Sequence, residues 1–120
     1  MQEKPTILVI DDNMPFRMLM RAFLTKEDYR VLEAENGEAA MEMLDEKKPD
    51  MLLLDLQMQP MGGFDFMLEY NNRGYKMPVV LITADPSSDI LTRSSKLGFA
   101  GVLKKPVNEE RILQIVKRFI

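Results

Sequence analysis

The sequence predicts an α/β domain of the doubly wound kind, with five parallel strands covered on both faces by helices. Short continuous apolar runs recur along the chain (TILVI, MLLL, VVLI and GVL), and the segments between them keep helical spacing. The runs end in side chains that carry chemistry: Asp11 and Asp12, Asp55, Thr83, and Lys104 with Lys105. Continuous apolar runs of this length read as buried parallel strands, whose carboxyl ends share the sheet edge where such folds bind ligands.

Each element follows in order. Thr6 to Ile10 is the first strand, and Pro15 falls where a first helical turn tolerates proline. The helix it opens runs to about Thr25, with Phe16, Leu19, Met20 and Phe23 spaced to face the sheet. A second strand spans Tyr29 to Ala34. Asn36-Gly37 opens a helix through about Glu46 that turns Ala40, Met43 and Leu44 inward, and Pro49 stops it. The third strand, Met51 to Leu54, leads into a loop from Asp55 to Gly63 and a helix from about Phe64 to Asn72, ended by Gly74. Val79 to Thr83 is the fourth strand. Ser87, Ser88 and Asp89 cap a fourth helix, whose stripe of Ile90, Leu91, Ser94 and Leu97 is the weakest of the set and which ends at Gly98. Gly101 to Lys104 is the fifth strand, and Asn108 caps a last helix with Ile112, Ile115, Val116 and Phe119 in helical spacing.

The 120 residues suit one domain. Composition is that of an ordinary globular protein, 46% hydrophobic and 29% charged, with no apolar stretch long enough for a membrane span. The opening MQEKP lacks the basic start and apolar stretch of a secretory signal, so a cytoplasmic address is expected. With no cysteine and no histidine, disulfides, thiolate or imidazole metal sites and a serine–histidine triad are excluded. A net charge of −3 opposes direct nucleic-acid binding, which needs a basic face.

At the shared edge, Asp11, Asp12 and Asp55 would repel one another, and a raised pKa or a hard divalent cation relieves that crowding. An oxygen-only donor set with room for water and phosphate describes magnesium better than calcium, and manganese would substitute. A carboxylate oxygen could then attack phosphorus to give an acyl phosphate, with Thr83, the Ala84 backbone N–H and a lysine of the Lys104–Lys105 pair around its oxygens.

The acid pair Asp11-Asp12, the strand-end Asp55, Thr83-Ala84 and Lys105-Pro106, in this order, resemble the response-regulator receiver domain of bacterial two-component signalling, from Thr6 to Ile120. The resemblance implies a flavodoxin-like (βα)5 sandwich with strand order 2-1-3-4-5, formed by residues 1–120 as a single receiver domain. It implies that Asp55 is the phosphoacceptor, served by a partner sensor histidine kinase or histidine phosphotransfer protein. Metal ligands would be Asp12 directly, Asp11 mainly through water, Asp55, and Gln57 through its backbone carbonyl, with Mg2+ as cofactor and Mn2+ able to substitute. Lys105, preceding Pro106 across a cis bond, is the implied phosphate partner, leaving Lys104 on the surface. Such a domain catalyses transfer only to itself, and hands its signal to an output domain or target at the face of the fourth helix, fifth strand and fifth helix.

Two positions depart from the family pattern: Gln59 stands where proline is usual, with Pro60 after it, and Val102 stands where an aromatic ring is usual. A degenerate receiver that binds partners without phosphorylation is the alternative, opposed by Asp55, Thr83 and Lys105. A flavin module is disfavoured because the loop DDNMP is acidic and glycine-free, and a phosphatase of the D-x-D-x-T kind because that motif is absent. The eleven methionines fit core filling better than copper binding. Met14, Met58 and Met61 border the expected site, where they either shield an acyl phosphate or only cover the crevice.

Overall fold

The computed structural model describes residues 4–120. Its elements are β1 (Thr6–Ile10), α1 (Met14–Thr25), β2 (Arg30–Ala34), α2 (Gly37–Lys47), β3 (Met51–Asp55), α3 (Gly63–Asn72), β4 (Val79–Thr83), α4 (Ser88–Leu97), β5 (Gly101–Lys104) and α5 (Glu109–Phe119). All strand pairs are parallel, in the order β2-β1-β3-β4-β5. The flavodoxin-like order and all five strand–helix units are as the sequence implies. Among the described residues no helix is long and apolar enough to cross a membrane.

Period-two alternation divides the first four strands between two cores. Ile7 and Val9 of β1 and Met51 and Leu53 of β3 pack with Met20 and Leu24 of α1 and Ile112, Ile115 and Val116 of α5. Leu8, Ile10, Leu52 and Leu54 point the other way, onto Ala40 and Leu44 of α2 and Phe66, Met67 and Tyr70 of α3. Both faces are covered, which is why the central strands read as unbroken apolar runs.

Asparagine or serine side chains cap four of the five helices at the site edge. Asn13, Asn36, Ser87 and Asn108 accept from the N–H groups of Phe16, Ala39, Ile90 and Arg111. α2 ends where Lys48 adopts a left-handed φ of 48° before Pro49, and α4 ends at Gly98 with φ 89°.

Helix faces differ in places from the sequence pattern. In α1 the core residues are Met20 and Leu24, whereas Leu19 is 44% exposed and Phe16 and Phe23 are half-buried. Phe16 and Phe23 still pack against the core that holds Met20 and Leu24, so the inward stripe runs through these four and Leu19 falls beside it. In α2, Met41 is buried and Met43 only half-buried; in α5, Phe119 reaches solvent. α4 buries Ser94 alone, its hydroxyl donating to the Ile90 carbonyl at 2.7 Å.

The exposure difference gives a test. Leu24→Ala should destabilise the fold by about 2–5 kcal/mol, as a buried leucine cavity does, while Leu19→Ala stays within about 0.5 kcal/mol, read from urea unfolding midpoints.

Candidate functional site

Strand alternation and strand register bring the site together. Asp55 is the last residue of β3 and continues the face of Met51 and Leu53; Asp11 follows β1 on the face of Ile7 and Val9. The β1–β2 ladder runs one step beyond β1, the Asp11 N–H donating to the Ala34 carbonyl at 3.1 Å. Thr83 ends β4 opposite Lys104, and the next peptide pairs again as the Lys105 N–H donates to the Thr83 carbonyl at 2.8 Å. Lys104 is exposed, Lys105 half-buried, and the Lys105–Pro106 bond is cis.

Carboxylate oxygens of Asp11, Asp12 and Asp55 lie within 4.8 Å of one another. Asp11 is 1% exposed and Asp55 6%, while Asp12 faces solvent. Among the described residues one cation offsets them: the Lys105 ammonium is 2.9 Å from Asp11 Oδ2 and 3.2 Å from Asp55 Oδ1. Burial, then the Asp11 charge, push the Asp55 carboxyl above the ordinary aspartate range, against the opposing pull of Lys105. For Lys105, burial works against the charge, yet its hydrogen bond and attraction to Asp11, with Asp55 behind, hold its pKa above the usual lysine value. The lysine therefore stays protonated. Three oxygen donors of one sign, incompletely neutralised, fit a hard divalent cation.

Thr83 is buried, and its Oγ1 accepts from the Asp85 N–H at 3.1 Å. That bond occupies a lone pair and leaves the hydroxyl proton free to donate. The Ala84 N–H has no hydrogen-bond partner among the described residues. Gln57 lies in the turn after β3, exposed and two residues past Asp55, and the Gln59–Pro60 bond in the same loop is cis. The bordering methionines do not line the crevice as a group. Met58 is buried in the α2/α3 core and Met61 packs against that core, its sulfur 2.9 Å from where a Cβ on Gly37 would stand, while Met14 is 58% exposed on α1.

Three contributors escape a reading of the sequence by motif. The Asn13 N–H donates to Asp11 Oδ1 at 2.9 Å, a bond set by the same residue's role as helix cap. The Phe16 ring centroid lies 4.4 Å from the Lys105 ammonium, a cation–π contact. Gly63 packs so tightly under β3 that a Cβ there would come 2.7 Å from the Asp55 carbonyl oxygen and 2.9 Å from the Leu56 Cα. A glycine at a helix start is the only hint the sequence offers for this contact.

A family model described as the response regulator receiver domain matches residues 7–117. Sporulation initiation phosphotransferase F of Bacillus subtilis is 29% identical over 120 residues, covering 100% of this chain and 95% of that protein. Transcriptional regulatory protein GlrR of Escherichia coli is 31% identical over 117 residues, 97% of this chain but only 26% of that regulator. Among solved structures, Vibrio cholerae chemotaxis protein CheY4 superposes with TM-score 0.90 at 26% identity, covering 98% and 99% of the two chains. The signal receiver domain of a putative LuxO repressor protein from Vibrio parahaemolyticus gives 0.92 at 26% identity, over 97% of this chain and 89% of that one.

The electrostatics carry a pH signature. With its pKa raised on folding, Asp55 holds a proton more tightly in the folded than in the unfolded chain. Its contribution therefore favours folding at low pH and is lost as pH rises from the ordinary aspartate value, about 3.9, through the folded pKa. Urea midpoints in chelator should decline over that interval in the wild type. Asp55→Asn should flatten the decline and raise metal-free stability at pH 7.

Proposed function

The chain belongs to the response regulator receiver domain family, and from that premise we propose that Asp55 is its phosphoacceptor, in a Mg2+-dependent reaction fed by a partner histidine. The observation that carries the reading is the Lys105 ammonium shared between Asp11 and Asp55, inside a cluster of three carboxylates. As these 120 residues contain no histidine, the phosphohistidine lies outside them, on a sensor histidine kinase or a histidine phosphotransfer protein. Residues 1–120 act as one receiver unit, which catalyses phosphoryl transfer only to itself and works in the cytoplasm.

In this reading Asp12 and Asp55 would offer carboxylate oxygens and Gln57 its backbone carbonyl to a bound Mg2+, with Asp11 acting on it mainly through water. The ion, when bound, offsets the charge of the incoming phosphoryl group and the repulsion among the acids; Mn2+ would serve the same purpose. An Asp55 oxygen forms the new bond to phosphorus as the phosphorus–nitrogen bond of the donor breaks and the imidazole departs. Lys105 exchanges its contact with the Asp55 oxygen for one to a phosphoryl oxygen, as a charge-assisted hydrogen bond. The free proton of Thr83 and the unpartnered Ala84 N–H supply neutral donors to the remaining oxygens. The signal then leaves by the face of α4, β5 and α5, toward an output domain or target protein. A degenerate receiver would keep this fold and dispense with all of these donors.

Acetyl phosphate or phosphoramidate with Mg2+ should add one phosphoryl group to the wild type and none to Asp55→Asn, as read by intact-mass spectrometry. No gain in the wild type, or a full gain in the variant, would remove Asp55 from this role.

Mg2+ should also raise the melting temperature, because the carboxylates are assembled only in the folded chain; at ten times its dissociation constant the gain is about 1.4 kcal/mol. Asp12→Ala should abolish most of that rise, measured by thermal melts with and without chelator, and an undiminished rise would locate the ion elsewhere.

A further inference from the structure

We propose that Arg17 is a positioning residue for the metal-binding loop: its guanidinium, held by Glu33, fixes the Asp11–Asp12 peptide from which the Asp12 carboxylate projects. The inference rests on the reading that the three aspartates hold Mg2+.

Arg17 lies near the start of α1, and its side chain is 13% exposed, an uncommon burial for arginine unless its donors are engaged. They are engaged on two sides. Nε donates to Glu33 Oε1 at 3.0 Å, and Nη1 donates to the backbone carbonyl of Asp11 at 2.7 Å. The second Glu33 oxygen accepts from Nε of Arg21, one helical turn on, at 2.6 Å. Burial would raise the Glu33 carboxyl, but the bonds from Arg21 and Arg17 outweigh it and hold Glu33 below the usual glutamate range. A rigid bracket from the edge strand β2 thus ends on one carbonyl oxygen of the site.

Asp11 is held at four atoms: its N–H by the Ala34 carbonyl, its carbonyl by Arg17, Oδ1 by the Asn13 N–H and Oδ2 by Lys105. The exposed Asp12 carboxylate has no hydrogen-bond partner among the described residues. Among the described residues only its own backbone orients that carboxylate. Since the peptide is planar, the direction of the Asp11 carbonyl also fixes the Asp12 nitrogen, and with it the point from which the side chain leaves. Outer partners of this sort commonly govern metal affinity without touching the metal.

The test uses the full chain, with Mg2+ titrations followed by calorimetry and by the amide shifts of Asp12 and Asn13. Arg17→Lys keeps the charge but lacks the fork that reaches both partners, Arg17→Met keeps only the stem, and Glu33→Gln weakens the bracket from its far end. Both Arg17 variants should raise the Mg2+ dissociation constant roughly tenfold, and Glu33→Gln by less. Phosphorylation by acetyl phosphate at saturating Mg2+ should stay within about twofold of wild type, because the reacting groups themselves are intact. A lower melting temperature in chelator with an unchanged dissociation constant would reduce Arg17 to a tie between α1 and β2. Tighter binding in Arg17→Met with Arg17→Lys unchanged would mean that its charge, not its geometry, acts on the site. Should Arg17→Met fail to fold, Arg17→Lys and Glu33→Gln carry the same comparison. No saturable Mg2+ binding in the wild type would instead overturn the metal reading on which the inference rests.

Discussion

Carboxylates at the ends of neighbouring strands repel, and this chain brings three of them within 4.8 Å, with Lys105 as their one ion-pair partner among the described residues. Much of the local structure can be understood as holding that arrangement against its own electrostatics. Asp11 is secured through its backbone and both carboxylate oxygens, and Asp55 is the last residue of a buried strand. Gly63 lets the following helix start directly beneath the Asp55 carbonyl. Burial first, and the Asp11 charge after it, keep the Asp55 pKa raised within this arrangement.

The sheet supplies the geometry that no local sequence could. Its order places β1 and β3 side by side, with β4 and β5 following on the β3 side, so residues 44 and 94 positions away from Asp11 meet it at one edge. The helix N-termini gather at that same edge, where their dipoles favour negative charge. The crevice is therefore suited to a phosphate before any individual side chain is considered, and the aspartates make it suited to a cation as well.

This division explains what could be read from the sequence. The strands were legible because burial on both faces leaves an unbroken apolar run, and Asp11, Asp12, Asp55, Thr83 and Lys105 were legible because each stands at the end of such a run. Which helix face turns inward was less so. The spacing of Phe16, Leu19, Met20 and Phe23 is helical, but the exact rotation of α1 over the sheet decides between Leu19 and Leu24, and that rotation depends on packing across the sheet. Met58 shows the same limit, since a methionine in a loop reads as a lid until the loop is seen to fold it into the core. The Arg17–Glu33 bracket had no sequence signature, because an arginine on an amphipathic helix and a glutamate on an edge strand are ordinary until their elements are brought together.

α4 differs from its neighbours in how it is held. Its sheet-facing stripe buries only a serine, and Leu91 is 46% exposed. Polar links to its surroundings take the place of a wide apolar seam: Arg93 lies 4.4 Å over the Phe64 ring of α3, and Asn71 donates to the Leu97 carbonyl at 2.9 Å. Such contacts contribute about 1 kcal/mol or less each at exposed positions, well under a buried leucine. The loop from Ala84 to Ser87 joins this lightly held helix directly to Thr83, with Asp85 bonded to the threonine hydroxyl. In the proposed reaction a doubly charged phosphoryl group arrives beside that hydroxyl, and a hydrogen bond to it is stronger than one between neutral groups. Val102, half-buried on the edge strand, is too small to act as the ring that other receivers carry there. Movement of Thr83 would accordingly reach the surface through the loop and α4, the element whose displacement the core opposes least.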